Sequence, residues 1–335
     1  MNQKKDSSNH IYYNIDIRKP NDQESKDLPF QAAFNETRVE PILNNPSEYE
    51  LAVVRFSIPS QNIPIFLWKE NSYSVSLKYL TYVFTSVLQF IPNSPGIGYD
   101  YFGPVIWNYQ DFIDSINQGL LASFNAFVAG TPAFAGKPIS APYMIYEATT
   151  ELCSLVAPIA YDTTIANPVY IYFNNNLSNY FPALPNFGIA DSILTKWIRV
   201  KNNFNNKSTI GGNDYYTMTE EYSTLFLWND LQKIILETDS IPTAPELLGS
   251  QTNKTRKIIT DFEPLSQIND RSTIQFFPQG ALRFYDLISN YPLTNMNVKI
   301  YWADKAGTQY PIYLNNTDNL TIKLYFKKKG VMISY

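Results

Sequence analysis

With 335 residues, 17% of them charged, and a net charge of −4, the chain is long enough for one large β domain or two ordinary ones. It lacks the broadly basic surface of a general nucleic-acid binder. A single Cys and a single His exclude an internal disulfide and a His/Cys metal site within one chain. Its 25 Tyr and 21 Phe favour pleated, half-buried surfaces and so an all-β fold.

The start, "MNQKKDSSNH", is polar and has no signal-peptide core, and no run approaches the ~20 apolar residues of a membrane span. A soluble protein, intracellular at synthesis, is expected, with His10 exposed. "IYYNIDIRK" and "FQAAFNETRV" read as strands. "YELAVVRFSIPSQNIPIF" follows, with Ala52, Val54, Phe56 and Ile58 expected on one face until Pro59 ends the ladder. "YSVSLKYL" and "TYVFTSVLQFI" read as two more strands.

The period then changes. "NYQDFIDSINQGLLASFNAFVA" sets Phe112, Ile116, Leu120 and Phe124 at fourfold spacing, flanked by Ile113, Leu121 and Phe127. This predicts one substantial helix near 109–128, capped by Asn108, with Asp111 in its first turn. After the Gly/Pro-rich loop "GTPAFAGKPISAP", strands resume with "YMIYEATT", "LCSLVAPI" (placing Cys153 in the core) and "VYIYFN". "YFPALPNFG" breaks the chain near 180–188.

The remaining segments again alternate by two. In the last, Leu320, Ile322, Leu324 and Phe326 point one way while Thr321, Lys323, Tyr325 and Lys327 point the other. Val298, Ile300 and Trp302 form a second inward set. "ADKAG" between them offers Asp304 to open a turn and Gly307 for a positive φ. A Ser-Ile-Pro echo, at Ile58-Pro59 and Ile241-Pro242, sits at the end of a strand in each half, with about eight strands per half, the number in one jelly roll. The expected architecture is two tandem jelly-roll sandwiches (a double jelly roll), 1–186 and 187–335, with the long helix in the first. The alternative is a single jelly roll from both chain ends with an inserted domain.

Catalytic motifs are missing. There is no phosphate loop and no nucleophile elbow, and the Gly-x-Gly of "GIGYDYFG" opens no helix. Asp261 and Glu263 share a strand face but read as solvated acids rather than a converging glycosidase pair. No enzyme activity and no cofactor or metal are expected.

The blocks "YYNIDIRK…ETRVEPILNNPSEYELAVVRFSIPSQNIPIF", "NYQDFIDSINQGLL" and "RFYDLISNYPLTNMNVKIYWADKAGTQYPIYL…LTIKLYFKKK" resemble jelly-roll capsid proteins of small tailless icosahedral DNA viruses: polinton-like viruses, virophages and tailless phages. The resemblance implies a virion structural protein, synthesised in the host cytoplasm and assembled with itself and with other capsid proteins. The major capsid protein, with trimeric pseudo-hexagonal capsomers, is the first expectation; a pentameric vertex or minor capsid protein is the alternative. A low-charge, aromatic-rich chain suits the large side-to-side contacts of a shell. From another class, a carbohydrate- or receptor-binding β-sandwich competes. The lysines Lys327, Lys328 and Lys329, with Lys4 and Lys5, are candidate inner-surface contacts to membrane lipid or genome; the bland alternative is a solvated cluster guarding an edge strand.

Overall fold

The computed structural model describes residues 9–20, 30–91, 104–131, 140–184, 187–191, 194–198, 200, 206–247, 255–264 and 273–330, with the backbone alone at 187–191 and 194–197. It is mostly β-sheet with few helices. The organising contact joins the two ends of the chain. Strand His10–Arg18 pairs antiparallel with the final strand Asn319–Lys328 over nine consecutive positions, from His10↔Lys327 to Arg18↔Asn319. The final strand pairs on its other side with Tyr49–Pro59, which in turn pairs with Thr273–Phe276. A second sheet runs Ile258–Phe262, Leu231–Glu237, Asn295–Asp304, the last bordered by Ala33–Thr37 along one stretch and Gln309–Pro311 along another.

The compact units follow this pairing rather than a cut near residue 186. One unit comprises 1–63 with 230–335, and the other 64–229. Two strands bonded to each other must share a unit, so the terminal ladder fixes the first grouping. Both Ser-Ile-Pro copies fall in that unit. Within it the sheets face each other through side chains: Phe56 meets Phe262 edge-on at 5.2 Å, and Tyr13 meets Phe34 at 6.3 Å.

Alternation is kept where expected along the last strand, with Leu320, Ile322, Leu324 and Phe326 buried. It fails once in Tyr49–Pro59. Lys323 lies opposite Arg55 while Leu324 lies opposite Val53, so Val54 is the extra residue of a β-bulge. A bulge reverses which side chains face inward. Leu51 and Val53 point inward before it and Phe56 and Ile58 after it, while Val54 is only half-buried. The face expected from Ala52 and Val54 is corrected accordingly. The predicted turn is present: Gly307 adopts φ +82°, and Asp304 Oδ1 accepts the N–H groups of Ala306 and Thr308 at 2.9 and 2.8 Å.

The unit 64–229 has a four-stranded and a five-stranded sheet, a short two-stranded ladder and the long helix, Tyr109–Gly130. Asn108 caps it, its Oδ1 accepting the Asp111 N–H at 2.9 Å. Phe112, Ile113, Ile116, Leu120 and Phe127 are fully buried, and Phe124 is half-buried. Leu121, expected beside them, is 50% exposed. At about 100° per residue it lies roughly 120° from the centre of the stripe. The helix packs on strands Ser74–Tyr79, Tyr82–Val87 and Tyr143–Glu147. Gly119 permits close approach, since a Cβ there would collide with Leu88. Asn117 stitches the helix to the sheet, donating to the Met144 carbonyl at 3.0 Å and accepting the Met144 N–H at 2.6 Å.

A polar pin sits in this core. Buried Glu220 accepts the Cys153 N–H at 2.9 Å and the Thr224 hydroxyl at 2.7 Å. Trp228 Nε1 donates to the Tyr180 carbonyl beside it at 2.8 Å. Burial pushes the Glu220 carboxyl above the ordinary Glu range, against these hydrogen bonds. It also pushes the Cys153 thiol up, which marks a structural and unreactive sulfur.

Two outcomes follow from this packing. Trp302, fully buried on the face of Val298 and Ile300 and stacked on Tyr310 at 4.5 Å, should lose about 3–5 kcal/mol on replacement by Ala; an unchanged denaturant midpoint would reassign its face. For Glu220, a raised folded pKa means the native state holds the proton longer than the unfolded chain. Wild-type stability should then fall, relative to Glu220→Gln, as pH rises from the unfolded value near 4.5 through the raised folded value. A wild-type stability that does not fall relative to the variant over that window would show that the hydrogen bonds fully offset burial.

Candidate functional site

The final strand carries the predicted basic residues, and the register decides what they can do. Asn319–Lys328 lies between His10–Arg18 and Tyr49–Pro59, so it is no edge strand and the lysines guard no edge. Lys327 sits opposite Glu50, and Lys328 opposite Tyr49. The Lys329 N–H donates to the Glu48 carbonyl at 2.8 Å. This geometry delivers a carboxylate to each ammonium group. Lys327 Nζ is 3.8 Å from Glu50, Lys328 Nζ 2.8 Å from Glu48, and Lys329 Nζ 2.8 Å from Asp286. Lys327 and Lys328 also lie over the Phe284 and Tyr49 rings, at 5.0 and 6.0 Å. Lys327 retains only 17% side-chain exposure. The cluster is charge-balanced: three cations face three carboxylates. Lys4 and Lys5 lie outside the described residues.

Two further cations are placed differently. Exposed Arg55 lies directly across the strand pair from Lys323. Among the described residues neither has a carboxylate within ion-pair distance; Lys323 Nζ rests over the Tyr12 ring at 4.7 Å. Tyr12 is 55% exposed and stacks on Tyr325 at 4.8 Å. His10 stacks on the same Tyr325, with Nδ1 2.5 Å from its hydroxyl oxygen. The outward alternation of Lys323 was legible in the sequence, but its pairing with Arg55 depends on the bulge at Val54, which no local pattern announces.

Elsewhere the candidates for chemistry resolve into structure. Asp261 is held by Lys233 at 3.1 Å and Arg283 at 3.6 Å, an ion-pair network on a sheet face. The Gly-x-Gly segment lies outside the described residues. A cavity of about 340 Å³ is lined by Trp68, Phe90, Pro104, Glu70, Asn71 and Gln89, a composition that could suit a sugar. Trp68, however, is 6% exposed and packed against Tyr73 and Phe90 at 5.1 and 5.9 Å, so it offers no free face for stacking. Trp228 and Trp302 are wholly buried.

Comparison with known proteins agrees with a structural role. Residues 11–328 match the family of the Sputnik minor capsid protein V18/19. Structural protein V19 of Sputnik virophage is 29% identical over 204 residues, which cover 56% of this chain and 94% of that protein. The uncharacterized protein V18 of the same virophage is 37% identical over 155 residues, 37% of this chain and 88% of that one. A chain in the 3.5 Å cryo-EM structure of the Sputnik virophage superposes with a TM-score of 0.79 at 30% identity, covering 96% of this chain and 98% of that one. The mavirus penton protein shares the fold, with a TM-score of 0.73 at 16% identity over 96% of this chain and 100% of that one. The chain therefore belongs to the Sputnik minor capsid protein V18/19 family and is a capsid component of the virion.

Proposed function

We propose that the chain forms the pentameric vertex capsomer of an icosahedral shell, rather than the trimeric capsomer of a major capsid protein. The observation that carries this reading is the pair of five-stranded sheets closed by both chain ends, eight of whose strands are four residues or longer. One sheet sets the first strand beside the last, then Tyr49–Pro59, which Thr273–Phe276 and Tyr285–Asp286 border; it faces a sheet built from Ile258–Phe262, Leu231–Glu237 and Asn295–Asp304, the last bordered by Ala33–Thr37 and Gln309–Pro311. We read this as one jelly roll, with 64–229 inserted between two of its strands. A pseudo-hexagonal trimer draws two upright jelly rolls side by side from each chain, and an insertion is not a tandem second roll. The family's description as a minor capsid protein and the fold shared with a penton protein support the same side.

The reading assigns the chain a scaffolding task with no catalyst. A low share of charged residues and many Tyr and Phe suit side-to-side packing in a ring. Partners are further copies of the chain and other capsid proteins. Native mass spectrometry of the purified protein should give five chains; three would favour the major-capsid geometry, and a monomer at all concentrations would remove both.

The three terminal lysines fit this task as locks. They tie the end of the final strand to Glu48, Glu50 and Asp286, and little net charge is left for lipid or genome. Partly exposed pairs contribute roughly 0–1 kcal/mol each, so substitution of Lys327, Lys328 and Lys329 by Gln should cost about 1–2 kcal/mol in all. Binding of the assembled protein to anionic liposomes or DNA should stay unchanged. A salt-sensitive loss of that binding in the triple variant would restore the inner-surface role expected for them.

A further inference from the structure

Arg55 and Lys323 stand opposite each other on one sheet face with no carboxylate in ion-pair reach among the described residues. Like charges directly opposite on neighbouring strands are unfavourable, and most other strand-borne cations nearby have been given an acid. Lys327 has Glu50 and Arg18 has Asp16 at 2.7 Å. On the same face, the positions beside the pair are occupied by Asn14, opposite Lys323, and by Thr321 and Ser57, opposite each other. The nearest acid along this face, Asp16, is already bonded to Arg18. A protein fold tolerates such a juxtaposition cheaply only while both groups are solvated, or when a partner supplies the missing charge.

We propose that Arg55, Lys323 and Tyr12 form a docking patch for a carboxylate-bearing surface on a second copy of this chain. Charge complementarity argues for that occupant. The unit 1–63 with 230–335 carries 19 basic and 19 acidic residues in sequence, while 64–229 carries 7 basic and 11 acidic. The chain's whole excess of −4 therefore lies in one unit, and another copy brings it to the unpaired cations. The composition of the patch also fits a protein partner, since Tyr and Arg are the side chains most enriched at the energetic centres of protein interfaces. A single-stranded nucleic acid would want an open aromatic face on which to stack a base. The Tyr12 ring is instead engaged by Tyr325 and by the Lys323 ammonium. This inference rests on the capsid reading above, and it goes further by naming the residues through which copies meet.

The test uses the full-length chain and two variants, Arg55→Gln/Lys323→Gln and Arg55→Glu/Lys323→Glu. Sedimentation velocity over a concentration series at low and high salt reads self-association, and thermal unfolding of dilute protein reads the fold. The patch predicts wild-type assembly that weakens with salt, and an association about tenfold weaker or more in the Gln variant, with the Glu variant weaker still. Thermal stability of the Gln variant should be equal to or above wild type, because a like-charge contact has been removed. A purely structural role would move stability down instead. Wild-type assembly that neither substitution alters overturns the inference and leaves the capsid reading standing; a wild type that never assembles removes both. Binding of a thymidine oligonucleotide or of phosphatidylserine vesicles that is lost in the Gln variant would also overturn it, by assigning the patch to a polyanion.

Discussion

The ladder between the first and last strands is the constraint on which the rest of this structure depends. Contacts such as His10 to Tyr325 span 315 positions, and nine consecutive residue pairs tie the ends together. Closing so long a loop costs only slightly more entropy than closing a shorter one, because the cost grows with the logarithm of length. Once closed, the final strand becomes the interior of a sheet, and it can bury Leu320, Ile322, Leu324 and Phe326 on one face. The unit 64–229 needs none of this, since its helix, strands and core come from neighbouring sequence. High contact order should make the end-closed unit the slower to form, and chain synthesis from the N-terminus has the same effect, because its last strand is made last.

Charge follows the same division. The end-closed unit carries equal numbers of acids and bases, many of them drawn into pairs such as Arg256 with Glu237 at 2.8 Å and Lys299 with Asp239. Each exposed pair contributes little to stability, but together they leave few free charges on its sheet faces. That makes an unbalanced pair such as Arg55 and Lys323 informative. The terminal lysines, which looked like the unbalanced group in the sequence, owe their neutrality to Glu48, Glu50 and Asp286, two of them nearly three hundred positions upstream.

Local features were legible in the sequence. The period-two strands ending at Lys328, the helix with its Asn108 cap, and the Asp304–Gly307 turn are each dictated by residues within a turn or two of one another. The division of the chain was not legible in that way. No local signal states that residue 10 will pair with residue 327, and the Ser-Ile-Pro echo pointed to a tandem repeat that the pairing does not follow. The bulge at Val54 was equally silent, because two apolar residues in sequence fit either face. The family resemblance supplied the capsid class from its end blocks, while the vertex proposal draws on a nesting of the units in sequence that no local pattern displays.

Native-state hydrogen exchange on the full-length chain tests the central claim most directly. The end-closed arrangement predicts that amides of His10–Arg18 and Asn319–Lys328 open with the same free energy as those of Asn295–Asp304, in one cooperative step, while the core of 64–229 opens separately. Exchange that instead groups 10–18 with the strands of 64–186, and 319–328 with the strands of 187–262, would contradict it.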